Sequence, residues 1–196
     1  RPLPAWTFAT EFGTVERSVA LQPQAPGQEP TLLVRWCNRS QHAVRLCVRP
    51  LLGWCNVDHL LQANESFDGT VHARGASWGF RPTDELPLLW LTCDGVAAFE
   101  GEPAWYRGFL LAADRVRGYD HVADRWSPGV LELDLAPGQQ ATVAFALGEP
   151  CAAPCDAFDA LLATATTDWQ LATQQNHSLV ARLELGADDF LYHAVG

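Results

Sequence analysis

Val130-Leu131-Glu132-Leu133-Asp134-Leu135-Ala136-Pro137-Gly138-Gln139-Gln140-Ala141-Thr142-Val143-Ala144-Phe145-Ala146-Leu147 is the stretch that decides the fold. In its first part Val130, Leu131, Leu133 and Leu135 are apolar, while Glu132 and Asp134 are polar. Alternation of this kind sends successive side chains to opposite faces of a pleated strand. Pro137-Gly138 is a turn signal: proline pre-sets φ and glycine accepts the left-handed region. Residues 140–147 are therefore expected to return and complete a hairpin.

The same texture extends outward. Residues 14–21 place Val15, Arg17, Val19 and Leu21 on one side and Glu16, Ser18 and Ala20 on the other. Residues 23–30 are rich in Pro, Gln and Gly and read as a loop. Residues 31–37 and 43–48 are apolar strands around Asn38-Arg39-Ser40-Gln41, a second expected hairpin. Further strands are expected at 60–67, 71–73, 78–81 and 88–92. Asp94-Gly95 then turns the chain into a return strand at 96–99, and residues 105–112 are strand-like. Many short strands with frequent turns imply a mainly β protein, an antiparallel β-sandwich, over residues 1–148. Residues 149–196 read as helical. Phe158, Leu161 and Leu162 fall at helical spacing behind Asp156. Leu179, Leu183, Gly186, Phe190 and Ala194 line one face of a second stretch, 178–195.

The chain has 196 residues, enough for one domain with a substantial core. Its formal charge is −10, which repels phosphate backbones and anionic membrane surfaces, so nucleic acid is not an expected partner. No apolar run approaches the roughly 20 residues that cross a bilayer. Arg1 opens without Met or a signal-peptide pattern, so we expect a soluble cytoplasmic piece of a longer chain. Every basic residue is Arg, and Lys, Ile and Met are absent, a bias expected of a GC-rich genome. The cysteines, Cys37, Cys47, Cys55, Cys93, Cys151 and Cys155, include no C-x-x-C pair and read as thiols in a reducing cytosol. A Cys151–Cys155 disulfide or a metal site is the alternative. Three glycosylation sequons, at Asn38, Asn64 and Asn176, are read as chance without a secretory signal.

Tryptophan is the unusual component. The chain carries Trp6, Trp36, Trp54, Trp78, Trp90, Trp105, Trp126 and Trp169. An indole face stacks on the C–H face of a sugar ring while its N–H reaches a hydroxyl. Trp36 and Trp90 sit in apolar strands and are expected in the core. Trp78, Trp105 and Trp126 lie near loops and polar residues, where a ligand face competes with burial. Glycoside hydrolysis needs two carboxylates roughly 5–10 Å apart. Asp120 with Asp124, and Glu100 with Glu102, are the nearest approaches, and neither spacing identifies a catalytic pair. His42, His59, His72, His121, His177 and His193 form no H-x-x-x-H or H-E-x-x-H, so no metal and no cofactor is expected. No nucleophile elbow, phosphate loop or dinucleotide fingerprint occurs.

Three segments in register carry a resemblance. The first is Val48-Arg49-Pro50-Leu51-Leu52 running to Asp58-His59-Leu60. The second is Trp105-Tyr106-Arg107-Gly108-Phe109. The third is Arg117-Gly118-Tyr119-Asp120, continuing through Asp124-Arg125-Trp126-Ser127-Pro128-Gly129-Val130 to Leu135-Ala136-Pro137-Gly138. In order and spacing they resemble the N-terminal domain of archaeal and bacterial glycogen debranching enzymes of the amylo-α-1,6-glucosidase type. Leu185-Gly186-Ala187-Asp188-Asp189-Phe190-Leu191 resembles the helix that opens that family's catalytic barrel. The resemblance implies a galactose-mutarotase-like supersandwich packed on its own C-terminal (α/α)₆ catalytic domain. The acid and base would lie in that barrel, and glycogen or another α-glucan would be the partner. It points to His59, Arg117, Asp120 and Asp124 as carbohydrate-binding residues, with no catalytic residue here, and Trp105, Tyr106 and Trp126 join them as aromatic faces able to stack on a sugar ring. Two positions depart from the family pattern: Asn56-Val57-Asp58 precedes His59, and Ala123 stands where the family has Glu. The segment 117–125 is open to two readings, a glucan-facing loop or a brace against the barrel. A stand-alone sugar epimerase, with His59 or His121 working beside Glu65, is a third reading.

Overall fold

The computed structural model describes residues 3–22, 29–56, 59–94 and 97–174. Twelve strands and two helices are described: β1 (Ala5–Thr10), β2 (Gly13–Gln22), β3 (Thr31–Asn38), β4 (Val44–Val48), β5 (His72–Arg74), β6 (Ser77–Phe80), β7 (Leu89–Asp94), β8 (Ala97–Glu100), β9 (Ala104–Leu110), α1 (Ala112–Arg117), β10 (Val122–Ser127), β11 (Val130–Leu135), β12 (Gln140–Leu147) and α2 (Pro154–Gln174). They build a seven-stranded sheet in the order β1-β2-β3-β12-β7-β6-β5 and a three-stranded sheet in the order β4-β11-β8. A two-stranded ribbon, β9 with β10, completes the β-structure. The expected mainly β, antiparallel sandwich is what forms, with a C-terminal helix. The second expected helix, at 178–195, lies outside the described residues.

The core follows from the alternation. On β11, Leu131, Leu133 and Leu135 point inward at 0–2% exposure, while Glu132 and Asp134 face out. They meet Val15, Val34, Trp36, Leu91, Cys93 and Val143 from the large sheet, with Phe80 and Trp126 completing the cluster. Burying each large side chain of this kind is worth about 1.5–3 kcal/mol. Both sheet faces of β12 are buried, because α2 covers the outer one. Phe158 of α2 is 1% exposed and packs with Ala20, Leu33 and Ala144.

Arg35 fastens that helix to the sheet. Its side chain is 7% exposed and lies 4.1 Å over the Phe158 ring. It donates to Thr142 Oγ1 at 2.9 Å and to the Cys155 carbonyl at 3.0 Å, and it pairs with Asp159. A buried guanidinium with its donors satisfied holds position without the penalty of an orphan charge. The Asp94 carboxylate accepts the Cys155 N–H at the helix start, where free N–H groups favour negative charge. The six thiols are unpaired, and burial pushes that of Cys93 up to about 12.

Three expected turns have a different consequence from the one anticipated. β3 and β4, β7 and β8, and β11 and β12 do not pair with each other. β3 and β7 flank β12 in the large sheet, while β4 and β8 flank β11 in the small one. Each turn is a corner that carries the chain between sheets. Residues 60–67, expected as a strand, are irregular instead, β10 begins within the 117–125 segment read as a loop, and α1 lies just before it.

Candidate functional site

β9, α1 and β10 make an arm that leaves the sandwich and returns. Its strands pair with each other, with Trp105 opposite Trp126 and Tyr106 opposite Arg125. Residues opposite one another share a face, and neighbours along a strand do not. Trp105 and Trp126 therefore point to the core, and Tyr106 and Arg125 point away from it. Phe67 seals the inner side, with ring centroids 5.1 Å from Trp105 and 4.8 Å from Trp126. α1 has no buried residue and ends on Gly118, whose φ of 81° makes it the left-handed cap. The Gly118 and Tyr119 N–H groups donate to the Arg115 and Asp114 carbonyls.

The expected site residues separate into three groups. Trp126 is 3% exposed and packs against Phe67 and Phe80, so it presents no open ring face; it is a core residue. Asp124 is 8% exposed, and its carboxylate accepts the Ala63 N–H at 2.8 Å and the Gly108 N–H at 2.9 Å. It pins the irregular 60–67 segment to the bulge in β9. Trp105 is half-buried beneath Phe67. Tyr106, Arg117 and Asp120 are exposed on the arm, and His59 is exposed on the preceding loop. The Arg49 guanidinium lies 5.5 Å over the Tyr106 ring. The structure thus gathers Tyr106, Arg117 and Asp120 on one arm and places Asp124 and Trp126 inside. A shared concave surface carrying all seven is not formed.

Asp124 has a chemical consequence. Both N–H bonds, first Ala63 and then Gly108, favour the ionised carboxylate and hold its pKa below the ordinary value. Burial opposes them, and Arg107 and Arg125 assist. A carboxylate so engaged is a poor proton donor, so Asp124 acts as a clamp and not as a general acid. A lowered folded-state pKa gives stability that is present above the unfolded value near 4 and lost as pH falls through the folded value. Asp124→Asn should lower the urea midpoint at pH 7. The gap from wild type should close as pH falls below about 4. Identical midpoints at pH 7 would remove the clamp from the account.

Sequence reading missed the arm's exposed apolar residues. Leu110, Val116, Tyr119 and Val122 are 46–85% exposed. Their signal was a cluster of apolar and aromatic residues in a segment otherwise rich in Arg and Asp. Several arginines elsewhere among the described residues find carboxylates, as Arg39 does with Glu16, Arg45 with Asp134 and Arg74 with Glu149. The guanidinium groups of Arg115 and Arg117 make no ion pair or hydrogen bond among the described residues. Two surface cavities, of about 310 and 490 Å³, include none of the expected site residues. No cluster of His, Cys, Asp and Glu able to hold a metal occurs among the described residues, and no described helix is long and apolar enough to cross a membrane.

The arm, its Ser127-Pro128-Gly129 exit and the strands β1 to β11 fall within the span of one family model. The family of the glycogen debranching enzyme N terminal matches residues 1–142. No curated protein matches the chain. With most of its length matched, and with the β-rich fold in place, the chain belongs to the glycogen debranching enzyme N-terminal family.

Proposed function

We propose that this domain is the glucan-positioning, non-catalytic part of a glycogen debranching α-1,6-glucosidase, with bond cleavage carried out by a partner catalytic domain of the same enzyme. One observation carries the reading: Tyr106, Tyr119, Arg115, Arg117 and Asp120 stand exposed together on an arm whose base is locked by Asp124 and Trp126. Aromatic faces take the C–H side of a glucose ring, and guanidinium and carboxylate groups take its hydroxyls. A rigid base keeps the entropy cost of holding a flexible glucan low.

A second reading has its own support. Leu110, Val116 and Val122 offer no hydrogen bond to a sugar, yet they are exposed. Apolar residues grouped on a projecting ribbon fit an interface with the catalytic domain. The two readings differ in solution. Under the first, the chain is retarded in a native gel containing glycogen, and its tryptophan fluorescence saturates with maltoheptaose. Tyr106→Ala combined with Arg117→Ala should weaken that retardation about tenfold, the scale of one lost stacking contact and its hydrogen bond. Under the second, neither signal appears. Release of glucose by the pure chain would refute the non-catalytic assignment.

A further inference from the structure

The seven-stranded sheet extends past the small sheet at its β1 edge. Trp6 and Phe8 on β1 lie opposite Arg17 and Val15 on β2, so all four share the inner face. Val15 and Val19 still belong to the core cluster, whereas Trp6 and Phe8 are 45% and 46% exposed. The sandwich's apolar face therefore continues into solvent as an open shelf. The Arg17 guanidinium lies 4.9 Å over the Trp6 ring and 5.3 Å over the Phe8 ring. One face of each ring is thus held by Arg17. Holding two rings against one cation pre-pays part of the ordering cost of binding.

Arg17 is also incompletely satisfied. Its Nε is buried and has no hydrogen-bond acceptor, and its guanidinium makes no ion pair among the described residues. The Nη groups of the same side chain keep access to solvent and have no partner among the described residues, so the shelf offers free N–H donors to an acceptor. The acceptor should be neutral. The chain carries a formal charge of −10, which disfavours an acidic partner, whereas a hydroxyl-rich ring brings both an apolar face and acceptors. We infer that Trp6, Phe8 and Arg17 form a second α-glucan platform, separate from the arm. This inference rests on the glucan-positioning reading. The arm's base touches β6, where Phe80 meets Trp126, and five strand spacings separate β1 from β6. At about 4.8 Å per strand that is roughly 24 Å. Two weak platforms so far apart would engage different chains of one branched polymer and gain avidity from it.

The test uses the whole chain, with maltoheptaose and glycogen as glucans and polyglutamate as an anionic probe. Trp6→Ala and Arg17→Lys each remove one element, the indole face or the planar guanidinium fork, and circular dichroism verifies that both variants fold. Each should weaken glycogen retention about tenfold, and the arm variants should lose affinity independently. Wild-type binding that Trp6→Ala and Arg17→Lys leave unchanged overturns the shelf and spares the arm. No glucan binding by wild type overturns both. Polyglutamate binding that Arg17→Lys abolishes, with glucan binding intact, reassigns the shelf to an acidic partner and overturns the inference.

Discussion

Gly129→Ala should unfold this domain or come close to it. Gly129 has φ of 150°, a region side-chain-bearing residues rarely enter. A Cβ built there would lie 2.0 Å from the Glu100 carbonyl oxygen and 2.9 Å from the Glu102 nitrogen. Both obstacles are backbone, so no side chain can rotate away. The neighbouring strands are also committed: Val130 pairs with Glu100, and Leu131 pairs with Phe99 on one side and Val48 on the other. Making room means pushing the end of β8 off the start of β11, the central strand of the small sheet. We expect a loss of about 4 kcal/mol or more, at the extreme end of single substitutions. Gly138→Ala is the control. Gly138 has φ of 74° with nothing within 4 Å of a new Cβ, so only the left-handed strain of about 1–2 kcal/mol applies. Urea midpoints of the two variants separate steric exclusion from strain. Equal modest losses would show that β8 yields easily and that Gly129 is not a fixed point.

Gly129 also bears on the arm. β10 leads through buried Ser127 and Pro128 straight into β11. The Gly129 N–H donates to Ser127 Oγ, and Ser127 Oγ–H donates to the Gly129 carbonyl, a local clasp at the arm's exit. Displacement here would unmoor the surface proposed to hold glucan. The Ser127-Pro128-Gly129 triplet, read first as part of a resemblance, has this physical content: a chain exit too tight for any side chain.

The strands of the sandwich were legible because alternation reports burial directly. β2, β3, β11 and β12 lie within a residue or so of their expected positions. Pairing was less legible, because a turn signal does not say whether the chain comes back beside itself or crosses over. One clue was present. β11 shows Glu132 and Asp134 on its outer face, while β12 shows Ala144 and Ala146 there. Two strands with such different outer faces fit poorly side by side in one sheet, and in the fold they are in different ones. α1 escaped notice because six residues, none of them buried, leave no apolar stripe to read. The clamp role of Asp124 was invisible because its partners are backbone N–H groups, which no side-chain pattern announces. Trp126 was misplaced because its neighbours in sequence are polar, although its partner across the ribbon is Trp105. Trp6, Phe8 and Arg17 passed as ordinary positions, since only strand register brings them together.

Asn38→Ala is the second substitution expected to have a large effect, and it tests the corners. Asn38 is 0% exposed although it ends β3 at a turn. Its Nδ2 donates to the His42 carbonyl at 2.8 Å and to the Leu135 carbonyl at 2.9 Å, and its Oδ1 accepts the Ser40 N–H at 2.8 Å. Its backbone joins in: the Asn38 N–H donates to the Gln139 carbonyl, and the Gly138 N–H donates to the Asn38 carbonyl. One amide thus ties the β3–β4 corner to the β11–β12 corner. A hairpin at either place would satisfy these groups within its own ladder. Corners leave them unpaired, and Asn38 supplies what the ladder does not. Truncation to alanine strands two carbonyls and an N–H, each costing about 1 kcal/mol or more, so a loss of about 3 kcal/mol is expected. For a domain of this length that is roughly 6–12 °C in Tm. Asn38→Asp keeps the shape and the acceptor, yet aims negative oxygen at two carbonyls, and it should be at least as damaging. A small effect of both variants would mean that water takes over the amide's role, and the corners would then owe their geometry to the packed strands alone.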